Sequence, residues 1–133
     1  MISSTDAEIV RRMFDDFNRG DFDAALALVD ERVEWEVPPG LPDSMGAWTG
    51  HRELFDGFAR FIGGWERLTS ELEVLREAEG RVVVDTRWHG RSRGTGIEVD
   101  QHIAQVYELR DGKVTRVRQF RTREEALDAA GLS

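Results

Sequence analysis

The chain of 133 residues contains no cysteine, which removes disulfide frameworks, thiolate nucleophiles and cysteine-ligated zinc or iron–sulfur centres from consideration. No apolar run approaches the roughly 20 residues that a membrane span requires, so neither a membrane protein nor a membrane partner is expected. Met1-Ile2-Ser3-Ser4-Thr5-Asp6 lacks the basic start and apolar stretch of a secretory leader, which makes the cytoplasm the expected location. Positive charge is scarce: 18 Lys and Arg stand against 26 Asp and Glu, for a net charge of -8. The phosphate-directed electrostatics behind nucleic-acid binding would therefore oppose association.

What is present suits a folded domain. A hydrophobic share of 40% and a charged share of 33% are those of a globular chain, and this length supports a single core without staples. One domain is expected over residues 1–133. Ile9, Val10, Met13, Phe14 and Phe17 recur at helical spacing, with Thr5 or Asp6 as cap and Glu8 as capping-box partner. Asn18-Arg19-Gly20-Asp21 reads as a stop followed by a new cap. A second helix carries Phe22, Ala25, Leu26, Leu28 and Val29, and Val33–Val37 alternates as a strand.

Pro38, Pro39, Gly40 and Pro42 forbid regular structure, and the segment through Gly46, Trp48 and Gly50 is expected to be a long loop. A third helix spans His51–Ile62, its buried stripe formed by Leu54, Phe55, Phe58, Phe61 and Ile62, and Gly63-Gly64 stops it. The period then changes to two. Leu68–Arg76, Val82–Trp88, Val99–Leu109 and Val114–Phe120 read as an antiparallel meander, with Glu79-Gly80 and Asp111-Gly112 as hairpin turns. Arg123–Ala130 closes as a short helix stopped by Gly131. Helices first and a sheet afterwards make an α+β chain: a strongly curved, cone-shaped, mixed or antiparallel sheet with three N-terminal helices on its concave face and a short C-terminal helix. Such an arrangement leaves a pocket.

The segments Asn18-Arg19-Gly20-Asp21-Phe22-Asp23, Trp48-Thr49-Gly50-His51, Arg110-Asp111-Gly112-Lys113 and Arg123-Glu124-Glu125-Ala126-Leu127 with Gly131-Leu132 occur in the order and spacing of the landmarks of SnoaL-like proteins. The chain therefore resembles the nuclear transport factor 2-like superfamily over nearly its whole length. That superfamily includes ketosteroid isomerases, epoxide hydrolases, polyketide cyclases and non-catalytic binding modules, so the fold alone does not choose an activity. The resemblance places Met13, Gln105 and Val37 where the isomerases carry an oxyanion-holding tyrosine, a protonated aspartate and a proton-shuttling aspartate. Gln105 keeps a hydrogen-bond donor for a carbonyl, whereas the shuttle is absent. The hydrolase acids correspond to Gln119 and Thr122, and the cyclase acid falls within Phe120-Arg121-Thr122.

Side chains along a strand alternate between faces. By polarity, Val82, Val84, Thr86 and Trp88 point inward, as do Gln101, Ile103, Gln105, Tyr107 and Leu109, and Thr115, Val117, Gln119 and Arg121. A one-residue bulge would reverse a choice. The expected ligand-binding set is Met13, Phe17, Trp35, Phe58, Thr86, Trp88, Gln101, Gln105, Tyr107, Gln119 and Arg121, apolar with a few hydrogen-bonding groups, as small-molecule pockets are. The competing reading is that the glutamines and Thr86 satisfy one another across strands and that the aromatics are core.

His102 is the sharpest acid–base candidate, because imidazole titrates near neutrality and Asp100 shares its face; strand parity sends both outward. His51 and His89 are expected to be exposed. The three histidines lack the spacing of a metal-ligand motif, and no metal or other cofactor is implied. Arg87, Arg91 and Arg93, followed by Gly94 and Gly96, resemble a phosphate loop, but no helix start follows, and a solvated basic hairpin is expected. Val83, Val106, Val114 and Phe120 on the outer face point to a homodimer. Two functions remain: an isomerase, cyclase or hydratase acting on a small hydrophobic molecule in the cavity, or a non-catalytic dimeric domain that binds a ligand or a partner chain there.

Overall fold

Thr5 opens the first helix by accepting the Glu8 amide on its hydroxyl at 3.1 Å, one of the four N–H groups that a helix start leaves without an internal partner. The computed structural model describes residues 5–36 and 47–132. Its elements are α1 (Asp6–Asn18), α2 (Phe22–Ala27), β1 (Val29–Glu36), β2 (Trp48–Thr49), α3 (Gly50–Gly63), β3 (Trp65–Ala78), β4 (Arg81–Ser92), β5 (Glu98–Arg110), β6 (Lys113–Phe120) and α4 (Arg123–Ala130). Val37, the prolines at 38, 39 and 42, Gly40 and Gly46 lie outside the described residues, and most of the expected loop lies there with them.

The six strands form one curved sheet in the order β2-β1-β6-β5-β4-β3. From β3 to β6 it is the antiparallel meander read from the sequence, and β1 joins β6 in parallel, so the sheet is mixed. At the Asp111-Gly112 turn both residues take positive φ, 52° and 77°, the geometry that the twist of a tight hairpin requires. Strands β3 and β4 run beyond their expected ends, and two segments change element. Val29 begins β1 rather than ending the second helix, because Leu28 caps α2 and Val29 pairs with Val114. Trp48-Thr49, expected within the loop, forms a short strand on β1 with Trp35 opposite Trp48.

The inner cluster joins Val10, Met13 and Phe14 of α1 to Val82, Val84, Tyr107, Val114 and Val117 of the sheet. Each valine is fully buried, and burial of such a side chain stabilises the fold by about 1.5–3 kcal/mol. Val114 corrects the sequence reading, which set it outward. Glu108 pairs with Arg116 and Leu109 with Val114, so Thr115 is an extra residue in β6 and its bulge turns Val114 inward. Thr115 was assigned inward; it occupies the bulge and donates its hydroxyl to the Glu108 carbonyl at 3.1 Å.

The outer face corrects the argument for self-association. Val83, Ala104 and Val106 are covered by Ala126 and Ala130 of α4, with Leu75 and half-buried Phe120 alongside. The apolar surface expected to need a second copy is largely covered by the chain's own last helix. Asp85, 7% exposed, fastens that helix by accepting Arg123 Nε at 2.8 Å, and Arg81 donates to the Ala130 carbonyl at its far end. At one rim of the sheet, Asn18 at the end of α1 donates to the Ser70 carbonyl at 2.9 Å and accepts the Ser70 amide at 3.1 Å. The other rim is the two-residue β2.

The α3 stripe is less buried than its pattern implies. Leu54 is buried, Phe58, Phe61 and Ile62 are half-buried, and Phe55 is 44% exposed. Leu54, Phe55, Phe58 and Ile62 face open space between the helices and the concave side of the sheet.

Candidate functional site

That space is a pocket of about 510 Å³, within the range of small-molecule sites. The helices give it Met13, Phe14 and Phe17 from α1, Phe22 and Leu26 from α2, and the stripe of α3; the sheet adds Trp35, Trp65, Trp88, Gln105 and Tyr107. Its aromatic walls meet edge to face. Trp35 and Phe58 stand 5.2 Å apart between ring centroids, Phe17 and Trp88 5.8 Å, and Phe14 and Tyr107 6.1 Å, the arrangement that ring quadrupoles favour.

Polar groups in this wall are few. Tyr107 donates its hydroxyl to Gln105 Oε1 at 2.8 Å. Both residues are fully buried, and desolvation pushes the Tyr107 phenol well above its ordinary value of 10, so it stays a neutral donor. Among the described residues, Gln105 Nε2 is buried with no hydrogen-bond partner. Exchanging the amide oxygen and nitrogen does not alter the balance, since the pair then leaves one amide N–H and the phenol O–H to be placed. Among the described residues the Gln105–Tyr107 pair thus presents more donors than are satisfied, and of its neighbours on the inner face Gln119, opposite Gln105, has an acceptor but makes no bond to it. An oxygen acceptor on a ligand would meet that deficit once a shift of neighbouring side chains opened the fully buried pair to it.

Of the expected ligand-binding residues, Met13, Phe17, Trp35, Phe58, Trp88, Gln105 and Tyr107 line the pocket. Thr86 does not: its buried hydroxyl accepts Trp88 Nε1 at 2.9 Å and donates to the Ile103 carbonyl at 2.8 Å. It fixes the indole that does face the pocket. Gln119 stands opposite Gln105 and Gln101 opposite Trp88, on the inner face but outside the lining, and Arg121 is exposed beyond the end of β6.

Asp100 and His102 lie on the outer face, away from the pocket. Arg87 grips Asp100 through Nε at 3.0 Å and Nη2 at 2.6 Å, which holds that carboxyl below its ordinary value of 3.8. His102 Nδ1 sits 3.3 Å from Asp85 rather than on Asp100. This pair therefore brings no acid–base chemistry to the cavity. His51, expected to be exposed, is half-buried and places Nε2 2.6 Å from the Val29 carbonyl. His89 is half-buried too, 3.8 Å from both Glu71 and Asp100. Among the described residues no three His, Asp or Glu side chains converge as a metal site would need, and no helix is long and apolar enough to cross a membrane.

Sequence reasoning missed Phe22, Trp65, Glu66 and Arg93. For Trp65 a signal existed, because a glycine inside a strand marks the close approach of another group. A Cβ on Gly90 would lie 2.5 Å from the Trp65 ring, so the ring rests where a side chain would otherwise stand.

Comparison with known proteins bears on this geometry. A SnoaL-like domain family matches residues 10–117. Among solved structures, Bal32a from a soil-derived mobile gene cassette is 31% identical with a TM-score of 0.77, the alignment covering 93% of this chain and 94% of that one. An NTF2-like protein from Burkholderia thailandensis is 25% identical at a TM-score of 0.79, covering 97% and 98%. TerC, co-crystallised with polyporic acid, is 21% identical at a TM-score of 0.78, covering 94% and 99%, and shares the fold. No curated protein sequence gives a significant match.

Proposed function

We propose that this chain, which belongs to the SnoaL-like domain family, binds a small, flat, largely apolar molecule in its pocket and recognises one oxygen of it through Gln105 and Tyr107. The observation that carries this reading is the unpartnered Gln105 amide, buried in an otherwise apolar wall. A buried donor without an acceptor costs roughly 1–3 kcal/mol, and a ligand carbonyl that displaces the side chains covering Gln105 would relieve that cost. The aromatic walls select for rings. TerC, of the same fold, crystallises with polyporic acid, which is in keeping with a small-molecule ligand.

The same donors would hold an enolate oxygen, which keeps isomerase or cyclase chemistry in view. Glu66 is the one carboxylate of the described lining, and Arg91 engages it at 3.3 Å. Binding is therefore the function that the geometry supports best. It is tested by titrating 2-acetylnaphthalene and its hydrocarbon analogue 2-ethylnaphthalene while following the fluorescence of the lining tryptophans. The ketone is expected to bind about five- to tenfold more tightly, the worth of one hydrogen bond of about 1 kcal/mol. Equal affinities would refute recognition through Gln105, and absence of binding by both would refute the pocket reading. Exchange of the ketone's methyl protons for deuterium in the same samples would reveal enolisation.

A further inference from the structure

The rim of the pocket carries a second recognition element. Arg93, just beyond β4, lines the opening. Its Nε donates to the Gly63 carbonyl at 3.1 Å and its Nη2 to the Trp65 carbonyl at 3.1 Å, while its backbone amide donates to the Gly64 carbonyl at 2.9 Å. These contacts hold the guanidinium against the backbone of the turn between α3 and β3. A long side chain fixed in this way has already lost much of the rotamer freedom that binding would otherwise remove.

Its neighbours are neutralised and it is not. Arg67 pairs with Glu98 at 3.2 Å, Arg91 with Glu66 at 3.3 Å, and Arg87 with Asp100. Among the described residues, Arg93 has only backbone carbonyls as partners. In a chain with a net charge of -8, an uncompensated cation oriented at the mouth of an apolar pocket is a built feature. The basic hairpin expected from sequence thus divides into two ion-paired arginines and one that faces the pocket.

We propose that Arg93 binds an anionic group of the ligand, of carboxylate type, so that the molecule taken up has an apolar ring body, an oxygen acceptor at its buried end and a negative charge at the mouth. The inference rests on the binding function proposed above and narrows it. A neutral ligand would leave Arg93 facing only water, whereas a carboxylate would receive charge-assisted hydrogen bonds from the guanidinium's remaining N–H groups.

The test compares 6-acetyl-2-naphthoic acid, its methyl ester and 2-acetylnaphthalene on the full chain and on the Arg93→Gln variant. In the unmodified protein the acid is expected to bind about tenfold more tightly than the ester at low salt, a charge-assisted bond in a solvent-open setting. That advantage should shrink as salt screens it. In Arg93→Gln the advantage should vanish while the affinity for 2-acetylnaphthalene changes less than about twofold, which also shows that the pocket is intact. Equal binding of acid and ester, an advantage indifferent to salt, or one that survives in Arg93→Gln would each overturn the proposal and leave the pocket reading standing. Failure of all three probes to bind would overturn both.

Discussion

Replacing Gln105 and Tyr107 together, as Gln105→Leu/Tyr107→Phe, should make the protein more stable and less selective. The pair shares one hydrogen bond of 2.8 Å, worth about 1 kcal/mol net, and leaves the buried Gln105 Nε2 unpaired at a cost of roughly 1–3 kcal/mol. Leucine and phenylalanine have similar shapes and remove both polar groups at once, so the expected gain is up to about 2 kcal/mol. For a chain of this size that corresponds to a rise of up to roughly 8 °C in melting temperature. The single variants supply the logic. Gln105→Leu removes the orphaned amide but strands the Tyr107 hydroxyl, so its stability should stay near that of the parent. Tyr107→Phe strands the glutamine oxygen as well as its nitrogen and should lose about 1–2 kcal/mol. Scanning calorimetry on the four proteins measures this non-additive pattern, and the naphthalene titrations should show the ketone preference lost in the double variant. A double variant less stable than the parent, or one that still prefers the ketone, would mean that the amide is satisfied in solution and would refute the reasoning.

The burial of Tyr107, the chain's one tyrosine, makes a direct pH prediction. Its folded value lies well above 10, so the unfolded chain ionises first, and the stability due to this group is full below about 10 and is lost as pH rises beyond it. Phenolate absorbance at 295 nm should therefore appear together with the loss of tertiary circular dichroism; phenolate in a still-folded protein would contradict the buried placement. Gly90→Ala should displace Trp65, because the new Cβ would fall 2.5 Å from that ring. A loss of about 1–3 kcal/mol in urea unfolding and weaker binding of 2-acetylnaphthalene are expected, and unchanged values for both would refute the close approach. Gly57→Ala should also destabilise, although alanine gains up to about 1 kcal/mol of helix propensity. Its Cβ would stand 2.4 Å from Trp48, and a stabilised variant would show that the indole moves away freely.

The sequence made the elements legible wherever one face is buried and the other wet. The stripe of α1, the alternation of β4 and β5, and the glycine turns after Glu79 and Asp111 all follow from that contrast. It failed where one residue alters parity or where apolar groups face empty space. Thr115 is an ordinary strand residue whose bulge shows only in the pairing with β5, and nothing in the pattern of α3 distinguishes a stripe that fills a core from one that walls a pocket. The outer valines looked unpartnered because Ala126 and Ala130 are too small to announce α4 as a cover. In the site, Gln105 and Tyr107 were reached through alternation and polarity. Arg93 was not, because its role depends on Gly63 and Trp65 lying beside it in space, about 30 residues away in the chain.

Open sheets are vulnerable at their rims, where unpaired amides and carbonyls offer a template for another chain. In this sheet the long rim strand β3 is plugged at Ser70, whose amide and carbonyl are both taken by the Asn18 side chain. The opposite rim, β2, is only two residues long. The side-chain amide of a helix terminus thus imitates one rung of a neighbouring strand, and β3 is denied to a strand from outside at that rung. Growth by strand addition, the route to fibrils and domain-swapped polymers, is thereby hindered at that rung of β3, and β2 offers an incoming strand only two residues to pair with.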